Sequence, residues 1–151
     1  MGPRVALKAG LGGALAIAIV AVMSEVSGSL WLMAPFGATC VLLFSVPASP
    51  LSQPINVIGG HVFSTLVGLL AFILLPVAWW SLALAVGVAI GGMALLRITH
   101  PPAGADPLVV MSIGAGLHYL LLPALLGSVA LVVIAFLFHR IPPVIPYPKR
   151  P

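Results

Sequence analysis

The chain has 151 residues, of which 62 % are hydrophobic and 5 % charged, and its mean hydropathy is +1.27. A soluble domain of this length needs far more charge to cover its surface, so the composition excludes one and indicates a polytopic membrane protein. Six Lys and Arg residues stand against two acids, Glu25 and Asp106. The basic residues collect near the chain ends, which argues against a nucleic-acid partner and predicts cytoplasmic termini by the positive-inside rule. The lone cysteine excludes an internal disulfide.

Six apolar segments are predicted in chain order. The first, residues 5–23, is long enough to cross about 30 Å of hydrocarbon at ~1.5 Å per residue. The second, residues 30–46, is broken early by Pro35 and Gly37. The others cover residues 55–77, 81–98, 108–122 and 123–138, and a Pro-rich tail at 140–151 is expected to lie extended at the surface.

The first segment has a second interpretation. Arg4 and Lys8 followed by an apolar run are also typical of a secretory signal peptide. An internal repeat favours a membrane span instead, because the repeat needs this segment in the mature protein. The sequence therefore predicts one transmembrane domain over residues 1–151.

The repeat emerges when the two halves are aligned with a shift of 67 residues. Residues 35–44, "PFGATCVLLF", then fall on residues 102–111, "PAGADPLVVM", so that both halves carry a Pro-x-Gly-Ala core. We expect repeats at residues 5–77 and 78–139, each made of a long span, a broken segment and another long span. Paired interrupted segments are a sequence signature of a transporter binding site.

Each broken segment is predicted to start a helix just after its glycine, with Thr39 as one N-cap and Asp106, followed by Pro107, as the other. Helix N-termini attract anions, so two of them converging near mid-membrane would form an anion site. The donors would be backbone N–H groups after Gly37 and Gly104. The alternative is that both segments are ordinary helix starts in surface loops.

Polar residues near the interruptions complete the candidate site. His61 and His100 can donate a hydrogen bond to an anion or titrate near neutral pH. Asp106 would repel an anion, so the anion binds at the first-repeat end or Asp106 is protonated during part of a cycle. We expect no catalytic residues, no cofactor and no metal, since a zinc site from His61, His100 and His118 lacks close ligand spacing. The candidate substrate-binding residues are Gly37, Ala38, Thr39, Cys40, Asn56, His61, His100, Gly104, Ala105 and Asp106.

Small residues recur at four-residue spacing in two stripes, one at Gly60, Ser64 and Gly68 and one at Ala83, Gly87 and Gly91. Such stripes let helices pack closely in lipid, within one chain or between protomers.

The strings "APFGATCVLLFSVPASPLSQPINVIGGH" (34–61) and "RITHPPAGADPL" (97–108) resemble the HPP family of integral membrane proteins, named for the motif present here as His100-Pro101-Pro102. The resemblance covers the chain from the first span to about Leu137. Plastid and cyanobacterial members are implicated in nitrite transport, so the resemblance implies an anion transporter. Some members carry an additional soluble regulatory domain, which we do not expect in this chain.

We therefore expect an all-α membrane protein of six segments in two similar halves, and the sequence leaves open whether the two short segments are re-entrant. The predicted function is transport of nitrite or a similar monovalent anion, without enzymatic activity, in a bacterial inner or plasma membrane and as a homo-oligomer. Two alternatives remain, a transporter or channel for another solute or a cation that uses Asp106, and a membrane scaffold subunit.

Overall fold

A computed structural model describes residues 2–149, and within them the secondary structure is helical throughout. Three stretches are long and apolar enough to cross a membrane, namely Pro3–Ser27, Pro54–Leu74 and the stretch Leu120–Phe138, whose first six residues form a wide helical turn. The prediction of an all-α membrane fold is confirmed. The six helices are α1 (Pro3–Ser27), α2 (Pro35–Ser45), α3 (Pro54–Leu74), α4 (Trp79–Leu95), α5 (Asp106–Ile113) and α6 (Leu126–Phe138).

One face of the molecule carries the start of α1, the end of α2, the start of α3 and the residues after α6, and we call it the tail face. Lys8 Nζ donates to the carbonyl oxygen of Pro143 at 2.6 Å. His139 donates through Nε2 to the Leu43 carbonyl at 2.9 Å, and Tyr147 donates to the Ser52 carbonyl at 3.0 Å. These bonds join all four chain segments at this face.

The residues after α6 are non-helical and mostly exposed, as predicted, and Tyr147 is the one buried residue among residues 140–149. Tyr147 is only 7 % exposed, because its ring packs on His139 and its hydroxyl reaches the chain before α3. Burial lowers the pKa of His139 below its usual 6.5, with the Leu43 carbonyl opposing and the charge of Lys8 adding to that shift. Arg150 and Pro151 lie outside the described residues.

The chain passes between the two faces six times. α1 leaves the tail face, and α2 returns to it. α3 leaves again, and its Phe72 packs against Gly114 at the far end of α5. The end of α4 is back at the tail face, where Asn56 donates to the Thr99 carbonyl at 3.0 Å. α5 and α6 make the last two crossings, which end beside Lys8.

Two of these crossings contain only a half-length helix. α2 has 11 residues and α5 has 8, which span about 16 and 12 Å at ~1.5 Å per residue. Residues 28–34 complete the first of these crossings, and residues 96–105, which include a 3₁₀ turn at Pro101–Ala105, complete the second. In this fold each of the two segments begins near one face and ends near the other, an arrangement that favours six crossings over two re-entrant segments.

The two half-length helices begin in the interior and run to opposite faces, α2 to the tail face and α5 away from it. Three crossings in each half give the halves opposite orientations, which is the arrangement that a repeat of three segments predicts. The repeat over residues 5–77 and 78–139 stays a prediction from the sequence.

The first small-residue stripe holds α3 against the second broken crossing. A Cβ on Gly60 would lie 2.6 Å from the Cβ of His100, and one on Gly68 would lie 2.8 Å from the Cα of Pro107. Ser64 donates to the Ala103 carbonyl at 2.6 Å. The second stripe, on α4, is exposed, and a Cβ on Gly87 or Gly91 would meet no atom within 4 Å. Of the two stripes, only the first packs closely against another part of the described chain.

Candidate functional site

Four polar side chains form a connected cluster in the interior, which we call the polar cluster: Thr39, His61, His100 and Asp106. The hydroxyl oxygen of Thr39 lies 2.8 Å from Nε2 of His61 and 3.0 Å from Nε2 of His100. His61 Nδ1 lies 2.8 Å from Asp106 Oδ2, and His100 Nδ1 donates to the carbonyl of Leu51 at 2.8 Å. The result is one continuous chain of hydrogen bonds from Asp106 to the backbone before α3.

Each member of the polar cluster comes from a different part of the fold. Thr39 lies in the second turn of α2, His61 on α3, His100 just before the 3₁₀ turn, and Asp106 at the first residue of α5. His61 sits seven residues into α3, about 10 Å from the helix start at ~1.5 Å per residue. The cluster therefore occupies the place where the two broken crossings meet α3.

Aromatic contacts and the glycine stripe fix the two imidazole rings. Gly60 leaves room for His100 beside α3, and the rings of His61 and His100 meet edge-on with centroids 4.9 Å apart. Phe36 of α2 packs edge-on against His61 at 5.2 Å. With both rings held and their outer nitrogens bonded, the imidazoles point at the single hydroxyl between them.

The polar cluster is sealed, since all four side chains are 0 % exposed. Thr65 adds a long hydrogen bond of 3.4 Å to Asp106 Oδ2. The other carboxyl oxygen, Oδ1, is buried and has no partner among the described residues. Burying a polar atom without a partner costs about 1–3 kcal/mol of folding free energy. This oxygen is therefore an unused hydrogen-bond acceptor in an otherwise connected site.

The predicted helix start was wrong in the first broken segment, whereas α5 begins at Asp106, just after Gly104, as predicted, but without the predicted Asp106 side-chain cap. α2 begins at Pro35, before Gly37, because proline at a first helical position has its backbone angle already set. Thr39 is therefore inside the helix, and its hydroxyl contacts the Pro35 carbonyl at 3.3 Å and the two imidazoles. The 3₁₀ turn runs directly into α5, so Asp106 caps nothing and its carboxyl reaches across to His61.

The predicted backbone donors are also occupied in part. In the first segment the amides after Gly37 lie inside α2, which begins at Pro35, and the preceding amides of Phe36 and Gly37 donate to the carbonyls of Met33 and Ala34 at 3.0 and 3.2 Å. In the second segment the amide of Asp106 donates to Ala103. These amides are not free to hold an anion, so the chemistry of the site rests on its side chains.

The other sequence candidates lie outside the polar cluster. Gly37 and Cys40 line a cleft between α1 and α2, on another side of α2. A Cβ on Gly104 would approach only Ile90 of α4, and Asn56 bonds the Thr99 carbonyl.

Ala38 and Ala105 line an apolar cleft of about 640 Å³ between α2 and the second broken crossing. Pro35, Pro101 and Pro102 complete its inner wall. This cleft runs between the two segments that supply Thr39, His100 and Asp106, and Ala105, which precedes Asp106, is part of its lining.

Sequence reasoning missed Thr65 and the Leu51 carbonyl. Thr65 follows His61 by four residues, so helical periodicity places both on one face of α3, and that signal was available. The Leu51 carbonyl could not be found, because only the fold brings it to His100.

No three His, Cys, Asp or Glu side chains between residues 2 and 149 are placed to hold a metal ion. His118 is exposed, away from His61 and His100.

The cluster contains His100 of the His100-Pro101-Pro102 motif, and the transmembrane region of the HPP family matches residues 1–148. The chain belongs to the HPP transmembrane family. Two transmembrane proteins of Dictyostelium discoideum are similar to it, one 35 % identical over 120 residues and one 33 % identical over 117. These matches cover 74 % and 72 % of this chain but 39 % and 41 % of the relatives, so the chain spans about two fifths of their length. No solved structure matches the chain.

The family motif has a clear structural role in this HPP protein. His100 belongs to the polar cluster, while Pro101 and Pro102 start the 3₁₀ turn that carries the chain to Asp106. The prolines also form part of the cleft wall. The motif therefore supplies one polar residue and shapes the backbone between two of them.

Proposed function

We propose that this HPP protein transports a small monovalent anion across the membrane, with nitrite as the first substrate to test, and that the anion binds at the polar cluster. The observation that carries the proposal is the burial of Thr39, His61, His100 and Asp106 where two broken crossings meet. Ionisable side chains inside a membrane are costly and mark transport pathways. Nitrite as the substrate comes from the family resemblance.

The side chains of the cluster suit a small anion better than the helix amides do. Both imidazole Nε2 atoms lie within 3.0 Å of the Thr39 hydroxyl oxygen, and each of the three groups can donate a hydrogen bond to an oxygen atom of an anion when the contacts between them open. The described part of the chain has no Lys or Arg in the cluster to fix a larger charge. A singly charged anion of few atoms is therefore the substrate class that we propose.

Transport requires the sealed cluster to open. The apolar cleft beside Pro35 and Ala105 is the route that needs the smallest movement, since α2 and the 3₁₀ turn already form its two walls. A shift of either wall would expose the cluster. Broken crossings are the moving or binding parts of many transporters.

A second candidate function follows from the free oxygen of Asp106. Oδ1 has no partner and would suit a small cation, in which case the protein carries a cation through the same cluster. Nitrite uptake and cation uptake are therefore measured on the same vesicles.

The test is initial nitrite uptake into proteoliposomes of the full chain, compared with His100→Gln and with the matched variant His118→Gln on an exposed histidine. We expect saturable uptake that falls about tenfold or more in His100→Gln, because a hydrogen bond to a charged group contributes about 1.5–3 kcal/mol. His118→Gln is expected to equal the unchanged protein. Folded protein without nitrite uptake above empty vesicles would refute the nitrite proposal, and sodium or potassium uptake instead would favour the cation.

A further inference from the structure

The hydrogen bonds of the polar cluster require a definite number of protons. Four contacts join Asp106 to His61, His61 to Thr39, Thr39 to His100, and His100 to the Leu51 carbonyl. Each contact needs one hydrogen. An ionised Asp106, two neutral imidazoles and one hydroxyl supply only three hydrogens between them. One more proton is needed to complete the chain.

The shortage falls on Thr39 when that proton is absent. His100 must carry a hydrogen on Nδ1, because the Leu51 carbonyl can only accept. His61 must likewise give its hydrogen to the ionised Asp106. Both Nε2 atoms then present lone pairs to one hydroxyl, which has a single hydrogen to donate. The longer Thr39 contact to the Pro35 carbonyl, at 3.3 Å, competes for the same hydrogen.

A fourth proton satisfies every contact. A neutral Asp106 donates to His61, His61 donates through Nε2 to Thr39, and Thr39 donates to His100. The same pattern is complete if the proton sits on His61 or His100 as an imidazolium. In each arrangement the cluster has no net charge, whereas the three-proton form leaves one buried negative charge without a counter-ion.

No other titratable side chain of the described residues bonds to the cluster. Cys40 is on α2 but lines the cleft toward α1, and Tyr119, just before the last crossing, is buried without a hydrogen bond to Asp106. Lys8 and His139 bond at the tail face. Any proton that balances Asp106 must therefore belong to the cluster itself.

We infer that the polar cluster is a proton-binding site, which holds one exchangeable proton shared among Asp106, His61 and His100. Losing this proton breaks one of the four contacts and leaves a buried negative charge without a counter-ion. The inference concerns the same residues as the proposed function, but the proton count stands on the hydrogen bonds alone.

Coupling to transport rests on the proposed function. An anion is repelled by the deprotonated cluster and accepted by the protonated one, so proton and anion strengthen each other's binding. The two would then move in the same direction. A cation would compete with the proton, and the two would exchange. The sign of the coupling therefore reports the charge of the substrate.

The composition gives a clean spectroscopic test, because the chain has only two acidic side chains. In Glu25→Gln, Asp106 is the one remaining side-chain carboxyl, and Glu25 itself is exposed at the end of α1. The probe is the carbonyl stretch of a protonated carboxylic acid in the infrared spectrum at neutral pH. Subtracting the spectrum of Glu25→Gln with Asp106→Asn removes the chain-end carboxyl.

Asp106→Asn also provides a folded reference. Its amide can donate to His61 Nδ1 as a neutral carboxyl does, so all four contacts are made without an exchangeable proton. We expect this variant to stay folded and its thermal stability to lose the dependence on pH that the cluster causes. Asp106→Ala leaves His61 Nδ1 without a partner and is expected to be less stable than Asp106→Asn.

Nitrogen NMR of the imidazoles completes the proton count, with His118→Gln removing the signal of the exposed histidine and the signal of His139 assigned separately from those of His61 and His100. A protonated carboxyl in the infrared, or an imidazolium at His61 or His100, supports the proton site at neutral pH. An ionised Asp106 together with two neutral imidazoles would overturn it. These readouts need no flux, so absence of nitrite uptake would refute the proposed substrate and leave the proton site standing.

For coupling, an inward proton gradient is expected to raise nitrite uptake by the unchanged protein but not by Asp106→Asn, after subtraction of leakage into empty vesicles. Equal responses of the two proteins would contradict the coupling.

Discussion

At the scale of single residues, Thr39 is the junction on which both imidazoles depend. Its hydroxyl lies within 3.0 Å of Nε2 of His61 and of His100. No other described side chain bonds to either Nε2 atom. Thr39 lies within α2, and its hydroxyl connects that helix to two other parts of the chain.

Thr39→Val keeps the shape of the side chain and removes the hydroxyl. We expect it to destabilise the protein by about 1–3 kcal/mol for each imidazole nitrogen left without a partner. Thr39→Ser keeps the hydroxyl and is expected to stay close to the unchanged protein. Thermal unfolding in detergent measures the difference.

The matched control is Thr99→Val, because the Thr99 hydroxyl bonds to no other described residue. The Thr99 carbonyl accepts a hydrogen bond from Asn56, and the substitution leaves that backbone atom in place. A Thr39→Val variant as stable as Thr99→Val would contradict the role of the hydroxyl.

At the scale of the helices, α3 is the element that both broken crossings contact. Its glycines approach the backbone of the second crossing, and its His61 and Thr65 reach Asp106. The packing is close because the stripe presents no side chain larger than a serine. Position and chemistry of the polar cluster therefore depend on the same helix face.

Gly68→Ala tests this packing. Its Cβ would lie 2.8 Å from the Cα of Pro107, a backbone atom that cannot move aside without shifting α5. Overpacking of this kind costs about 1–3 kcal/mol, and we expect a lower unfolding temperature. Gly87→Ala is the control, since its Cβ meets no atom within 4 Å and exposed changes stay within about 0.5 kcal/mol. Equal stability of the two variants would show that α3 and α5 do not pack this closely.

The helices show what the sequence could and could not predict. Hydropathy located all six segments, and Pro35 with Gly37 correctly marked a broken one. The capping roles of Thr39 and Asp106 were wrong because capping rules are local, whereas these side chains bond to partners 22 and 45 residues away. The fifth segment was predicted to reach residue 122, but α5 ends at Ile113 because Gly114 adopts a left-handed conformation with φ of +63°.

The candidate site was predictable in its residue types but not in its connections. Thr39, His61, His100 and Asp106 were all found from the sequence, since polar groups are rare in such a chain. Their order along the hydrogen-bond chain depends on the crossing of α2, α3 and α5, which no short-range pattern encodes. Gly37 and Gly104 were predicted as site residues because free amides of a helix start were expected after each of them. Helical turns already begin at Pro35 and Pro101, so both glycines lie inside helical turns and that argument fails.

At the scale of the whole molecule, the charges are divided between the two faces. Contacts and chain position place all the basic residues that the structure describes at the tail face, and the acid Glu25 at the opposite face. By the positive-inside rule we expect the tail face to be cytoplasmic. Arg97 belongs to this group only because the second broken crossing starts at the tail face. The basic residues are Arg4, Lys8, Arg97, Arg140 and Lys149.

The division of charge makes a topology with six crossings testable, and the lone cysteine makes the test simple. In a Cys40→Ala background, single cysteines at exposed positions are labelled from one side of sealed vesicles with a membrane-impermeant reagent. We expect Ala48→Cys and Arg97→Cys to react from the same side as Arg140→Cys. Val77→Cys is expected to react from the opposite side, because it follows the far end of α3.

Four spans with two re-entrant segments predict the reverse. The broken segments would then return to the face they entered, so positions 48 and 97 would lie opposite Arg140 and position 77 would lie beside it. Glu25→Cys reacts opposite Arg140→Cys in both topologies and reports that the vesicles are sealed and uniformly oriented. Labelling of positions 48 and 97 together with Glu25→Cys would contradict the inverted arrangement of the two halves. It would also remove the reason why α2 and α5 meet at the polar cluster from opposite faces.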